Sequence, residues 1–320
     1  MKNDAFNCPI LLLIFNRPDS TQKVFESIKE LKPTKLYIAA DGPRINRPQE
    51  SELVNKVREI VSEINWPCTI KKLYRDKNLG CKIAVSSAID WFFENEEFGI
   101  IIEDDVLPHT SFYYFMDAML LKHYHDERIM MVTGTNYYSE PLSAQPYFYS
   151  EHMTIWGWGT WRRSWKHYDV EMKKWDDPVY KEYFNYKYFN TFWSRHYKYT
   201  FDSLSMGYMD TWDIQWNFCC LINHGVCLTP SVNLISNIGV FGTHGAGITD
   251  SHFMKTYDID INNVLNYNPT ALLVNYAYDA KLHKNKSWKI VLIRDILNIF
   301  KKIHLYFFAR ALYRIIKRIP

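Results

Sequence analysis

The sequence predicts an α/β protein: a Rossmann-like, mostly parallel sheet flanked by helices, then a less regular half and a basic amphipathic helical tail. Three observations predict it. Continuous apolar runs alternate with helix-period segments through the first hundred residues, as expected of strands buried on both faces and joined by crossover helices. Each apolar run ends in turn-prone or charged groups, "NRPD", "ADGP", "RDKNLG" and "EDD". With 320 residues, 47% of them hydrophobic and 17% aromatic, the chain is long enough to bury a sizeable core and too apolar to be disordered.

"ILLLIF" (10–15) reads as the first strand. Val24, Ile28 and Leu31 mark the face of the helix that follows, with Asp19 or Ser20 as its N-cap. "KLYIAADG" (35–42) is the second strand, and Leu53, Val57, Ile60, Val61 and Ile64 share one face of the next helix. "TIKKLYRD" (69–76) is the third strand. The helix after it presents Cys81, Ala84, Val85, Ala88, Ile89 and Phe92. "FGIII" (98–102) is the fourth strand, and Glu103, Asp104 and Asp105 follow at once. In open parallel sheets ligands bind beyond the carboxyl ends of the strands, so these ends predict the rim of a nucleotide crevice. No G-x-G-x-x-G follows the first strand, which disfavours a dinucleotide.

Beyond residue 135 the alternation is lost. The expected organisation is a nucleotide-binding half over 1–135, a less regular half over 136–257, a linker over 258–286 and the tail over 287–320. "WGWGTWRRSW" (156–165) offers either tryptophan faces for sugar stacking or a turn packed with core tryptophans. The six cysteines show no CxxC pair or framework spacing, which argues against a zinc site or disulfide scaffold and fits a reducing compartment. "PILLLIF" is followed by "NRPD" and so resembles a buried strand more than a secretory signal. No stretch of 18 uncharged apolar residues predicts a transmembrane helix.

The net charge of +3 is unevenly distributed. Residues 287–320 hold eight Lys/Arg against Asp295 alone, which leaves the rest of the chain at −4. A mildly acidic body argues against nucleic acid as a partner. In the tail, Arg294, Asn298, Lys301 and Lys302 share one helical face, and Arg310, Arg314, Lys317 and Arg318 share another. Basic residues opposite Ile, Leu and Phe predict a helix lying on an anionic membrane, with docking onto protein as the other reading.

Three adjacent carboxylates at a strand end in a crevice need a counter-cation. Oxygen ligands of this kind suit Mn²⁺ or Mg²⁺, which bind through one or two carboxylates plus substrate phosphates. Here the chain resembles the nucleotide-sugar glycosyltransferases of the GT-A fold. "IIEDDV" followed by a Phe-rich helix, "SFYYFMDAML", is similar to the N-acetylglucosaminyltransferase I type, as are "ILLLIFNRPDS", the "DG" after the second strand and "RDKNLGCK", and the chain also resembles family 2-like bacterial glycosyltransferases. The likeness covers roughly residues 8–255.

The resemblance implies a role for each matching position. Asp105 would ligate the metal, Asp104 would contact the ribose and Glu103 would position the donor. Asn16, Arg17 and Asp41 would line the base and ribose pocket, while Arg75 and Lys82 would hold phosphate or base. The general base of an inverting transfer would lie in "DTWDIQW" (210–216), at Asp213 rather than Asp210, although Ile214 stands where the family has a second acid. His244, in the glycine-rich "SNIGVFGTHGAG", could reach metal or diphosphate. The implied activity is transfer from a nucleotide-sugar donor, UDP favoured, to a saccharide or lipid-linked acceptor in surface-glycan synthesis, at the cytoplasmic face of the cell membrane. The competing classes are a sugar nucleotidyltransferase, which would want a basic glycine-rich loop after the first strand, and a non-catalytic glycan-binding protein, which would have no need of "EDD".

Overall fold

The structure, a computed structural model, describes residues 5–138, 145–187, 192–239 and 255–284. His244 and the basic tail therefore lie outside the described residues. The chain divides into two compact units: residues 1–170 with 210–276, and residues 171–209 with 277–320.

The first unit is built on an eight-stranded mixed sheet. Its strands are β1 (Ile10–Ile14), β2 (Lys35–Ala40), β3 (Thr69–Tyr74), β4 (Phe98–Glu103), β6 (Ile129–Thr133), β7 (Tyr147–Ser150), β8 (Trp158–Trp161) and β9 (Val226–Pro230), in the order β3-β2-β1-β4-β8-β6-β9-β7. β3, β2, β1 and β4 are mutually parallel, so their carboxyl ends share one rim. β8 runs antiparallel to both its neighbours, and β7 runs antiparallel to β9. A second, two-stranded sheet pairs β5 (Val106–Pro108) with β10 (Ile235–Asn237). β3 is an edge strand; Lys71 and Lys72 are exposed on it, and charged side chains are a common guard on such edges.

The helices are α1 (Pro18–Leu31), α2 (Glu50–Ile60), α3 (Gly80–Asn95), α4 (Thr110–Lys122), the single turn α5 (Arg162–Trp165), α6 (Pro178–Lys187), α7 (Phe192–Ser205), α8 (Asp213–Ile222), α9 (Ile261–Asn266) and α10 (Tyr276–Lys284). Strand parity sorts the sheet's side chains between two cores, because successive residues point to opposite faces. Ile10, Leu12 and Ile14 of β1 and Ile100 and Ile102 of β4 pack with Val24, Phe25 and Ile28 of α1 and with Phe112, Phe115 and Met116 of α4. Leu11, Leu13 and Ile101 pack on the other face with Ala88, Ile89 and Phe92 of α3 and with Trp212 and Trp216 near α8.

Several expectations are corrected. α1 begins at Pro18 with Arg17 in the N-cap position, not Asp19 or Ser20, because proline is pre-set for the first helical position. The buried stripe of α2 is Val54 and Val57, continued by Val61, whereas Leu53 is 37% exposed. β7, β8 and β9 continue the sheet beyond residue 135, where the alternation in the sequence is lost. The expected linker contains α9, N-capped by the Asp260 carboxylate, which accepts from Asn262 N–H at 2.9 Å. Lys122 Nζ donates to the Tyr267 carbonyl at 2.6 Å and secures the same segment. Trp158 and Trp161 are fully buried, and Trp158 stacks on Trp212 with centroids 5.6 Å apart, so both belong to the core rather than to a sugar platform.

In the second unit, Trp175 donates its indole N–H to Asp202 at 3.0 Å and meets Phe184 and Phe201 edge-on. Tyr197 stacks on Phe201. Much of the aromatic excess is thus core packing in both units. Among the described residues no helix is long and apolar enough to cross a membrane. Truncating Trp158 to Ala should cost about 3–5 kcal/mol of unfolding free energy in urea titrations, the range for a buried aromatic whose cavity cannot close. A loss below about 1 kcal/mol would contradict its place in the core.

Candidate functional site

β4 carries the first acid of the motif inside its ladder: Glu103 pairs with Leu13 of β1, and the chain leaves the sheet at Asp104. Parity puts Glu103 on the face of Ile101, the side covered by α3 and α8. Asp104 turns to β1 instead. One of its oxygens accepts the Phe15 backbone N–H at 2.9 Å, and the other accepts from Arg17 Nη1 at 3.0 Å. The same Nη1 lies 2.5 Å from a carboxylate oxygen of Asp105. One guanidinium nitrogen therefore ties two carboxylates of the β4 end to the short loop after β1.

The third element comes from far along the chain. Ile238 N–H donates to the Asp105 carbonyl at 2.8 Å, continuing the β5–β10 pairing past its last residue. The next residue, Gly239, passes over the Asp105 carboxylate so closely that a Cβ there would collide with it. Its N–H is held by Asn237 Oδ1 at 3.0 Å. Asp213 opens α8 and accepts a hydrogen bond from the Thr211 hydroxyl. Its charge reaches Glu103, Cys81, Tyr137 and Tyr168.

Burial drives the Glu103 carboxyl well above the usual range, and the charges of Asp105, Asp104 and Asp213 push it further, against Arg17. Burial raises Asp104 as well; Arg17 opposes the rise and Asp105 adds to it, leaving it at about 6. Burial works against the charge on Arg17, but Asp104, Asp105 and Glu103 together hold it charged. Cys81, on the first turn of α3, sits among the same groups: burial, then Glu103, Asp210 and Asp213, push its thiol up to about 12.

The other expected site residues fall into two groups. Asp41, Lys82 and Asp210 meet at the start of α3. Asp41 accepts from Gly42 N–H at 2.9 Å, Leu79 N–H at 3.0 Å and Asn78 Nδ2 at 2.8 Å, which pins the β3–α3 loop. Asp210 accepts the Lys82 backbone N–H at 3.1 Å and supplies the cap that Leu79 cannot. Its carboxylate lies over Gly80, whose φ of +78° few other residues adopt without strain. Asn16 and Arg75 are bonded to other groups, and the Arg75 charge also acts on Asp41. Asn16 bonds Glu50, and Arg75 donates to Ser87 at 2.7 Å on α3. Glu50, nearly buried and gripped by Arg44, organises this corner.

Arg17 is bonded to Asp104 and Asp105, and the charge of Asp213 reaches Glu103 beside them, a gathering of acids that suits a divalent cation. Among the described residues, however, no group of three or more Asp, Glu, His or Cys is arranged to hold a metal ion. A metal here would rest on one or two carboxylates and draw its other ligands from a substrate, as hard divalent cations do with phosphates.

The chain matches no protein-family model and no curated protein. Among solved structures it is similar to 4-diphosphocytidyl-2C-methyl-D-erythritol synthase from Anaerococcus prevotii, at 7% identity and a TM-score of 0.32 over 54% of this chain and 77% of that one. It is also similar to mouse xyloside xylosyltransferase 1, at 8% identity and a TM-score of 0.34 over 68% of this chain and 82% of that one. Both scores are too low to carry a fold or an activity across to this chain.

A carboxyl whose folded-state pKa exceeds its unfolded value binds its proton more tightly when folded. The stability it contributes is complete below about pH 4, the unfolded value for aspartate, and is lost as pH rises through the folded value, about 6 for Asp104. In metal-free protein Asp104 should therefore lower the melting temperature from about pH 4 to about pH 7, together with Glu103, whose folded value is about 8, and against buried His123, whose lowered value acts in the opposite sense. Asp104→Asn, which keeps an oxygen acceptor, should flatten that decline in differential scanning fluorimetry. An unchanged slope in the variant would remove Asp104 as its source.

Proposed function

We propose that the chain is a metal-dependent, inverting glycosyltransferase of the GT-A type, moving a sugar from a nucleotide diphosphate, UDP favoured, to a saccharide or lipid-linked acceptor. One observation carries this reading. Carboxylates from β4 and from the start of α8 converge at the shared rim of a parallel sheet, joined to the β1 loop by Arg17 and overlain by the Gly239 backbone. Such a rim receives a ligand at the strand ends, and its excess of negative charge suits a diphosphate only together with cations.

Each group then has a task. Asp105 is the residue best placed to hold Mn²⁺ or Mg²⁺, which would neutralise the diphosphate as it departs. Asp104 stitches β4 to β1 and keeps Arg17 charged at the rim. Glu103, with its raised pKa, adds less negative charge near neutral pH than its neighbours. Asp213, oriented by the Thr211 hydroxyl on a separate element, takes the proton from the acceptor hydroxyl. Asp210, spent on capping α3, has no part in that step. The loop after β1 offers a diphosphate only Arg17 from "NRPDS", which favours sugar transfer over nucleotidyl transfer. We extend the reading to the basic tail, which would hold the enzyme on the anionic cytoplasmic face of the membrane and bring it to a lipid-linked acceptor.

Asp105→Ala should abolish transfer in a screen of nucleotide sugars with Mn²⁺ while leaving the circular dichroism spectrum unchanged. Metal-dependent turnover in that variant would refute the assignment. Asp213→Ala should lower kcat by about a hundredfold or more, the scale of a lost general base, whereas Asp210→Ala should retain most of it. Equal losses in the two would sink the choice of base. Co-sedimentation with vesicles containing phosphatidylglycerol should be lost when residues 287–320 are removed, and binding that persists would exclude the tail as the membrane anchor.

A further inference from the structure

Arg17 holds its two acids in an unusual way. Nη1 alone contacts both Asp104 and Asp105, while Nε and Nη2 bond to none of the described residues. A guanidinium committed to a carboxylate for good commonly pairs through two nitrogens in parallel. The Arg17 side chain is 31% exposed, against 7% for Asp104 and 13% for Asp105, so the cation is the solvent-facing member of the cluster.

The backbone under it is fixed. The Arg17 carbonyl accepts the Thr21 N–H at 3.0 Å and the Thr21 hydroxyl at 2.7 Å, closing the first turn of α1. Any movement of the charge is therefore a side-chain rotation and leaves the helix start in place. Asp104 keeps its bond to Phe15 N–H whether or not the guanidinium stays. Asp105 is fixed through its carbonyl by Ile238 N–H, so its carboxylate remains at the rim when Arg17 leaves it.

We infer that Arg17 is a displaceable counter-cation: it neutralises Asp104 and Asp105 in the unliganded protein, yields Asp105 to the divalent metal, and carries its charge to the donor diphosphate. Arg17 engages one Asp105 oxygen, Oδ2, and a divalent ion that takes that oxygen repels the guanidinium and competes for the same lone pairs. The inference rests on the proposed donor and metal, and it assigns Arg17 opposite effects on the two. Arg17 opposes metal binding when the metal is alone and favours the nucleotide once the metal is in place.

That opposition is the test. Isothermal titration of Arg17→Gln with Mn²⁺ alone should give a Kd about tenfold lower than wild type, the scale of one partly screened ion pair. With Mn²⁺ saturating, the same variant should bind uridine diphosphate about tenfold more weakly than wild type. A merely structural role would weaken both. Mn²⁺ binding equal to or weaker than wild type in Arg17→Gln overturns the inference while leaving the metal assignment standing. If wild-type protein binds no uridine diphosphate with Mn²⁺ present, the proposed function fails and takes the inference with it. Should Arg17→Gln not fold, wild type decides by ¹⁵N NMR. The Arg17 Nε–H resonance, assigned by its loss in Arg17→Lys, should shift on adding Mg²⁺ with uridine diphosphate. If it stays still while other resonances report binding, the inference is wrong.

Discussion

In the unliganded protein the acids of the β4 end depend on one electrostatic constraint, the bond of a single Arg17 nitrogen to Asp104 and Asp105. Without it the rim of the sheet would set three adjacent acids, with Asp213 close by, against desolvation and mutual repulsion. With it, the loop after β1 and the end of β4 become one rigid corner, reinforced by the Phe15 N–H bond to Asp104. The parallel pairing of β1 with β4 makes this possible, since it brings Leu13 level with Glu103 and sets the two strand ends side by side.

The second half of the chain then completes a geometry that the first half has begun. β10 extends the short β5 ladder and lays the Asn237–Gly239 turn against Asp105. α8 starts at Asp213, and behind it Trp212 and Trp216 pack against Trp158 of β8, the antiparallel strand inserted between β4 and β6. The tryptophan core thereby fixes where the first turn of α8 stands relative to the acids of β4. Packing and electrostatics meet at that point, because the tryptophans buried beside the start of α8 also position the acid that opens it.

Much of this is legible in the sequence, for reasons that also mark its limits. Strands β1, β2 and β4 announce themselves as uninterrupted apolar runs, and three acids closing such a run are conspicuous because a buried strand has no use for them. The partner of those acids is less visible. Arg17 stands 87 and 88 positions away from Asp104 and Asp105, and only the parallel register brings them together. Asp210 and Asp213 lie three residues apart in one motif, yet the first caps α3 and the second faces Glu103. No local pattern separates a cap for a distant helix from an acid whose charge reaches a strand end. The tryptophans of "WGWGTW" suit a sugar face or a core equally well as letters; burial, which is a property of the whole sheet, decides for Trp158 and Trp161. Cys81 carries no signal, since its place among the acids depends on where α3 begins.

The order in which these parts occur along the chain also bears on how the protein is made. Synthesis runs from the amino terminus, and amino-terminal parts of a chain are available to fold first. Arg17 therefore leaves the ribosome before the acids it neutralises, and the β1–β4 corner can close with its charges compensated once residue 105 is out. The Gly239 turn and the opening of α8 come more than a hundred residues later. The cation that compensates the β4 acids is thus already synthesised when they appear, whereas the elements that cover them are not.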